Sequence, residues 1–174
     1  MPVTALVVYG TANGSTGEIA EAVARTLREH GVTAEALPAP SVRDVTPYDA
    51  VVVGGALYAG RWHKDARRFV RRNRRALAVR PVWFFSSGPL DTSAAERDVP
   101  PVPGVRRDMA YLDVVGHVTF GGCLREGARG RLARMILRHG RGGDFRDFLT
   151  IEAWAADLAK QVAAGAAGRP QHGT

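Results

Sequence analysis

Val3-Thr4-Ala5-Leu6-Val7-Val8-Tyr9-Gly10-Thr11-Ala12-Asn13-Gly14-Ser15-Thr16 decides how the rest of the chain is read. Val3 to Tyr9 is a nearly continuous apolar run, the pattern of a strand buried on both faces of a parallel sheet. Gly10 to Ser15 is rich in turn residues. From Thr16 to His30, Ile19, Ala20, Val23, Ala24 and Leu27 recur at helical spacing, and Gly31 stands where a cap residue ends a helix. A hydroxyl-rich loop therefore leaves a buried strand and enters a helix. The helix N-terminus offers unpaired N–H groups and the positive end of a dipole. Thr11, Ser15 and Thr16 add hydroxyls, Asn13 an amide, and Gly10 and Gly14 let the backbone approach a ligand closely. Such a loop is an anion pocket, most naturally for a phosphate. The alternative is that Ser15 or Thr16 merely caps the helix. The loop holds no lysine or arginine. A triphosphate-binding loop needs GxxxxGK before Ser or Thr, and a dinucleotide loop needs GxGxxG; both are absent. A dianionic monoester held by hydroxyls and N–H groups, without counter-charge, is the ligand that suits it.

Working outward, strand and helix patterns alternate. Thr33 to Leu37 reads as a weak peripheral strand and Ala50 to Gly54 as a fully apolar one. A loop follows, Gly55 to His63, then a helix from about Lys64 to Ala78 whose apolar face uses Phe69, Val70 and Leu77. Val82 to Phe85 is a central strand that runs into Ser86-Ser87-Gly88-Pro89. Thr92 to Pro103 is a polar, proline-rich loop, with a short helix near Arg106 to Leu112. Val114 to Phe120 is a further strand. Gly121 to Asp147 is rich in glycine and arginine, with a helical stretch at Leu132 to Leu137. Thr150 to Val162 closes the chain through Ile151, Trp154, Ala155, Leu158 and Val162. Short connections between alternating elements predict an α/β sandwich with a doubly wound sheet. In that architecture the loops Gly10–Thr16, Ala56–His63 and Ser86–Asp91 converge outside the carboxyl ends of the strands. Tyr58 and Trp62 in the second loop either stack on a planar ring or pack over a neighbouring helix. His63 suits a helix start, Trp83, Phe84 and Phe85 a core, and Cys123 a small buried position.

Composition narrows the function classes. The chain has 174 residues, 45% apolar and 24% charged, an ordinary globular composition. Residues 1–162 are expected to form one domain, with an insertion at about 122–148 and a flexible tail at 163–174. One cysteine excludes an internal disulfide and a CxxC redox pair, and no metal site is expected. No apolar run approaches ~18 residues, and no basic stretch followed by an apolar one opens the chain, so a cytoplasmic protein is expected. The net charge is +7, and Lys64 and Lys160 are the only lysines. Such charge attracts anionic lipid, nucleic acid or acidic partners, or it is simply solvated. No nucleic-acid recognition motif accompanies it, so no nucleic-acid partner is expected.

Thr11-Ala12-Asn13-Gly14-Ser15-Thr16 resembles the loop signature of the flavodoxin-like family, Thr-x-(Thr, Ser, Asp or Asn)-Gly-x-(Ser or Thr). The resemblance covers about residues 3 to 162. It implies a three-layer fold with five parallel strands in the order 2-1-3-4-5 and an insertion before the last helix. It also implies non-covalent FMN. Thr11, Ala12, Asn13, Gly14, Ser15 and Thr16 would then hold its phosphate. Ala56, Leu57, Tyr58, Ala59 and Gly60 would stack on the ring, and Ser86, Ser87, Gly88 and Pro89 would cover the pyrimidine edge or ribityl chain.

Val53-Gly54-Gly55-Ala56-Leu57-Tyr58-Ala59-Gly60-Arg61-Trp62-His63 is similar to a pattern of flavodoxin-type menaquinone-dependent protoporphyrinogen oxidases. So are the basic insertion with Leu132–Leu137 and then Gly142-Gly143, and Trp154 early in the closing helix. This likeness implies an FMN-dependent oxidoreductase with a quinone acceptor. Departures stand at Tyr58, where relatives often carry a basic residue, and at Ala59, where they often carry an aromatic. The alternative is an electron carrier between protein partners, without a substrate of its own. A fold that has lost its flavin is opposed by Thr11, Gly14, Ser15 and Thr16. Receiver-type phosphotransfer needs carboxylates where Tyr9, Gly10 and Gly54 stand. The expected partners are a redox protein or a quinone, and a homodimer is allowed. The basic insertion either meets anionic membrane at the inner face of the cell membrane, with Leu132, Met135, Ile136 and Leu137 dipping in, or packs on its own domain. No catalytic acid or base is singled out.

Overall fold

The computed structural model describes residues 2–168. In chain order the elements are β1 (Thr4–Gly10), α1 (Ser15–Glu29), β2 (Thr33–Pro38), β3 (Ala50–Tyr58), β4 (Arg61–Trp62), α2 (Lys64–Arg72), α3 (Arg74–Leu77) and β5 (Val82–Ser87). There follow α4 (Ser93–Glu96), α5 (Pro103–Leu112), β6 (Gly116–Phe120), β7 (Cys123–Leu124), α6 (Arg131–Arg138), β8 (Gly143–Asp144) and α7 (Phe148–Ala167).

The apolar runs form the parallel sheet β2-β1-β3-β5-β6. This is the predicted order of the five long strands. Alternation along each strand feeds two cores. Ala5, Val7, Val52, Trp83 and Phe85 face α1 and α7, where they meet Ile19, Leu27, Ile151 and Leu158. Leu6, Val8, Val51, Val53 and Phe84 face the other layer and meet Phe69, Val70, Leu77 and Val105 of α2, α3 and α5. Both faces of the sheet are covered, which is why its strands lack polar alternation. The chain order reverses between β1 and β3, and a crevice opens at their carboxyl ends.

Several boundaries differ from the sequence reading, each for a local reason. The 64–78 helix is interrupted at Asn73, whose backbone turns out of the helical region at φ −101° and ψ 16° and whose side-chain amide joins its own N–H in donating to the Phe69 carbonyl. The loop 92–103 contains one helical turn, α4, begun where the Asp91 carboxylate accepts the Ser93 N–H. The closing helix starts earlier than expected, because Asp147 accepts the N–H groups of Leu149 and Thr150 as an N-cap. It also runs on through Ala167, so residues 163–167 of the expected tail are helical, while 169–174 lie outside the described residues. The insertion is held by the two-stranded β7–β8 ladder. No helix among the described residues is long and apolar enough to cross a membrane.

Candidate functional site

The first loop is organised by Thr11. Its hydroxyl oxygen accepts the N–H groups of Asn13 at 3.4 Å and Gly14 at 3.2 Å, which curls the backbone toward α1. Gly14 takes the N-cap position at φ 86°, a left-handed conformation that a glycine adopts without strain. No side chain caps the helix. The alternative in which Ser15 or Thr16 serves as cap is therefore set aside. Thr16 is fully buried, and its Oγ1 has no hydrogen-bond partner. A buried hydroxyl left unpaired costs about 1–3 kcal/mol, so an acceptor at this place would relieve a standing penalty.

The second loop is a hairpin. β3 continues through Tyr58 and folds back at Ala59-Gly60 onto β4, pairing Leu57 with Trp62 and Tyr58 with Arg61. Ala56 and Leu57 are thus strand residues, packed over the crevice beside the half-buried Tyr58. Of the two alternatives for Trp62, the structure takes packing over stacking. It is 3% exposed, its indole N–H donates to Ser86 Oγ at 2.8 Å, and its ring centroid lies 4.9 Å from that of Phe84. Trp62 is core. His63 is the N-cap of α2, as its position suggested, and accepts the Asp65 N–H.

In the third loop, Ser86 and Ser87 belong to β5 rather than to a loop. The Ser86 hydroxyl is shared between Trp62 and the ring of His117, 2.9 Å away, on the α2 side of the sheet. Burial holds the His117 imidazole neutral, with its pKa lowered to about 4. Ser87 and Gly88 reach the crevice. The Pro89 carbonyl accepts the Gly122 N–H at 2.9 Å, which ties the third loop to the root of the insertion.

The three segments converge as expected, and the insertion joins them. One cavity of about 220 Å³ lies between Ser15, Ala56–Ala59, Ser87-Gly88 and the α6 side chains Leu132, Ala133 and Ile136. It adjoins a second, of about 400 Å³, where Ala12, Asn13 and Ser15 face Arg125 and Arg129. Here the structure corrects the picture of an anion pocket without counter-charge. The loop itself holds none, but a segment more than a hundred residues away supplies two arginines. Asn13 anchors that segment: its side-chain oxygen accepts the Arg129 N–H at 2.7 Å, and its amide donates to the Arg129 carbonyl at 3.4 Å. Gly60, expected at the ring, instead lines a separate groove on the far side of the hairpin.

Arg146 is the residue that sequence reading missed. Its side chain is 2% exposed. It donates to Asp144 at 2.9 and 2.8 Å, to Glu18, and to the Ser15 carbonyl at 3.2 Å. Its hydrogen bonds hold the Asp144 carboxyl down at about 2, and that of Glu18 below its ordinary value. The one signal available was an arginine bracketed by Asp144 and Asp147 in a segment otherwise crowded with like charge. Among the described residues no three His, Cys, Asp or Glu side chains are grouped to hold a metal.

Comparison with known proteins agrees with the fold. The family profile described as a flavodoxin domain matches residues 6–139. The protoporphyrinogen IX dehydrogenase (quinone) of Escherichia coli K12 is 30% identical over 83 residues, which are 47% of this chain and 46% of that protein. The chain thus matches about half the length of that relative. Among solved structures, a flavodoxin from the domain Archaea superposes with a TM-score of 0.60 at 14% identity, covering 92% of this chain and 99% of that one. The rubredoxin oxygen:oxidoreductase of Desulfovibrio gigas gives 0.66 at 12% identity, over 96% of this chain and 38% of that one. A point mutant of the flavodoxin from Pseudomonas aeruginosa gives 0.60 at 16%, over 92% and 99%. With the profile running from within the first strand through its loop and the rest of the sheet, the chain belongs to the flavodoxin family, an FMN-binding fold.

Proposed function

We propose that this chain is an FMN-dependent oxidoreductase in which the β1–α1 loop holds the flavin phosphate. The carrying observation is Thr16 Oγ1, buried and without a partner at an uncapped helix N-terminus. The residues fit the group. Thr16 would donate its hydroxyl to a phosphate oxygen, as would the first-turn N–H groups of α1, while Thr11 holds the loop and Gly14 its turn. Arg125 and Arg129 add positive charge; Arg125 also lies 3.3 Å from Glu18, so Arg129 is the freer of the two. Leu57 and Tyr58 would lie along the ring, with Ser87 and Gly88 offering backbone groups to its edge. Leu132, Ala133 and Ile136 would keep water from that side. FMN, when bound, supplies the electron-accepting and hydride-accepting chemistry, which the protein orients and tunes.

The finer reading is oxidation of a protoporphyrinogen-type substrate with a quinone as acceptor. The half-length match to the E. coli dehydrogenase supports it. The surface of α6 supports a quinone taken from a membrane: Met135 is 50% exposed beside Arg131 and Arg134.

The test is an absorption spectrum after loading with excess FMN and desalting, followed by turnover of a reduced porphyrinogen with a quinone. Bands near ~370 and ~450 nm are expected of bound oxidised flavin. A colourless protein that leaves FMN fluorescence unquenched would overturn the reading. Flavin binding without porphyrinogen turnover, but with electron exchange to another protein, would favour the carrier alternative.

A further inference from the structure

On the opposite side of the β3–β4 hairpin from the crevice, a groove of about 780 Å³ runs between α2–α3 and α5. Arg67, Arg71 and Arg74 line one wall, spaced about a helical turn apart. Arg61 enters from β4 and Arg107 from α5. Asp108 is the one carboxylate on the lining among the described residues, 3.6 Å from Arg74. Arg74 also lies over the ring of Tyr111, 3.8 Å from its centroid, and Tyr111 is 56% exposed. Among the described residues the guanidinium groups of Arg61, Arg67, Arg71 and Arg107 make no hydrogen bond or ion pair.

Arginines spread over a convex face are solvated and need no partner. Here five converge in a hollow against one acid, and Arg67 and Arg71 face each other as like charges four residues apart. The hollow has the volume of a small-molecule site. A guanidinium fork matches a carboxylate or phosphate with two parallel hydrogen bonds, and one anionic group satisfies one or two such forks. We infer that this groove binds a small organic polyanion carrying at least two phosphate or carboxylate groups, with Tyr111 flanking its carbon frame. The site shares none of the crevice's lining side chains, so it stands whether or not the flavin reading holds.

The test is calorimetric titration of the full chain, with excess FMN present to occupy the crevice, with pyrophosphate and, separately, with benzene-1,2,4,5-tetracarboxylate, at physiological ionic strength. At least one probe is expected to saturate a single site, and the tighter of the two assigns the anionic group. Arg67→Ala with Arg71→Ala is expected to weaken that binding about tenfold or more. The charge-matched pair Arg138→Ala with Arg141→Ala, on the insertion, is expected to leave it within about twofold, since neither residue lines the groove and exposed charges are screened by salt. Equal weakening by both pairs would reduce the groove to net charge. Binding unmoved by the first pair, or no saturable binding of either probe, would also overturn the site. Circular dichroism of each variant keeps a folding defect from imitating a loss of binding.

Discussion

The crevice has two walls built by different physics. The sheet wall, β1 and β3 with their loops, rests on strands buried along most of their length and on a parallel hydrogen-bond ladder. The insertion wall, residues 123–146, rests on a two-stranded ladder, the Asn13–Arg129 bonds and the Arg146 cluster, with α6 exposing Met135 at its outer face. A packed core is dense and hard to deform, whereas the insertion hangs on a few hydrogen bonds and ion pairs in which Arg146 is buried but its partners Glu18 and Asp144 stay open to water and salt. The difference assigns the walls different work. One presents fixed donors; the other is tied down by fewer bonds and should exchange its amides faster than the sheet.

The sharpest way to break this contrast is to strain the rigid wall. A Cβ at Gly54 would lie 2.0 Å from the Phe85 ring. Gly54→Val should therefore lose about 3 kcal/mol, or fail to fold, in denaturant unfolding. If it unfolds like the parent, the sheet wall is not as tightly packed as described.

Thr16→Val probes the same wall chemically. Its hydroxyl has no protein partner, so the flavin-free variant should be no less stable. FMN affinity, read by fluorescence quenching, should drop roughly 10- to 100-fold, the worth of one hydrogen bond to a charged group. Unchanged affinity would remove Thr16 from the phosphate site.

Acid should loosen the insertion first. The Asp144 carboxyl is depressed to about 2 by hydrogen bonds from Arg146, against an ordinary value of 3.8. A carboxylate depressed in the folded state stabilises it above its unfolded value, and that stabilisation is lost as pH falls through the folded value. Amide exchange in residues 131–146 should therefore quicken between roughly pH 4 and pH 2, before the sheet yields. Arg146→Met should quicken it already at neutral pH and abolish that acid step. The mildest change is Asn13→Ala. Losing its bonds to Arg129 should cost about 1 kcal/mol, seen as faster exchange near Arg129 with the sheet amides unmoved.

How much was legible follows the same division. The strand order and the β1–α1 loop could be read because apolar runs, glycine and hydroxyl signals act within a few residues of themselves. The hairpin at Ala59-Gly60 was harder. Its two-residue return strand is too short for a period, and Trp62 looks identical in sequence whether it faces solvent or the Ser86 hydroxyl. The Arg146 cluster was hidden for a further reason. Its partners Ser15 and Glu18 lie some hundred and thirty residues earlier, and beyond its flanking aspartates little local distinguishes it from the other arginines of the insertion.

By itself, the sequence determined the alternation of elements, the doubly wound sheet and a phosphate-suited loop at its switch point, because these arise from local backbone preference and from which faces must be buried. Only the tertiary structure decided that Trp62 is core, that the insertion brings Arg125 and Arg129 to the loop, and that five arginines from β4, α2, α3 and α5 share one groove. Those are meetings between distant segments, set by how layers pack and where charge can find a partner.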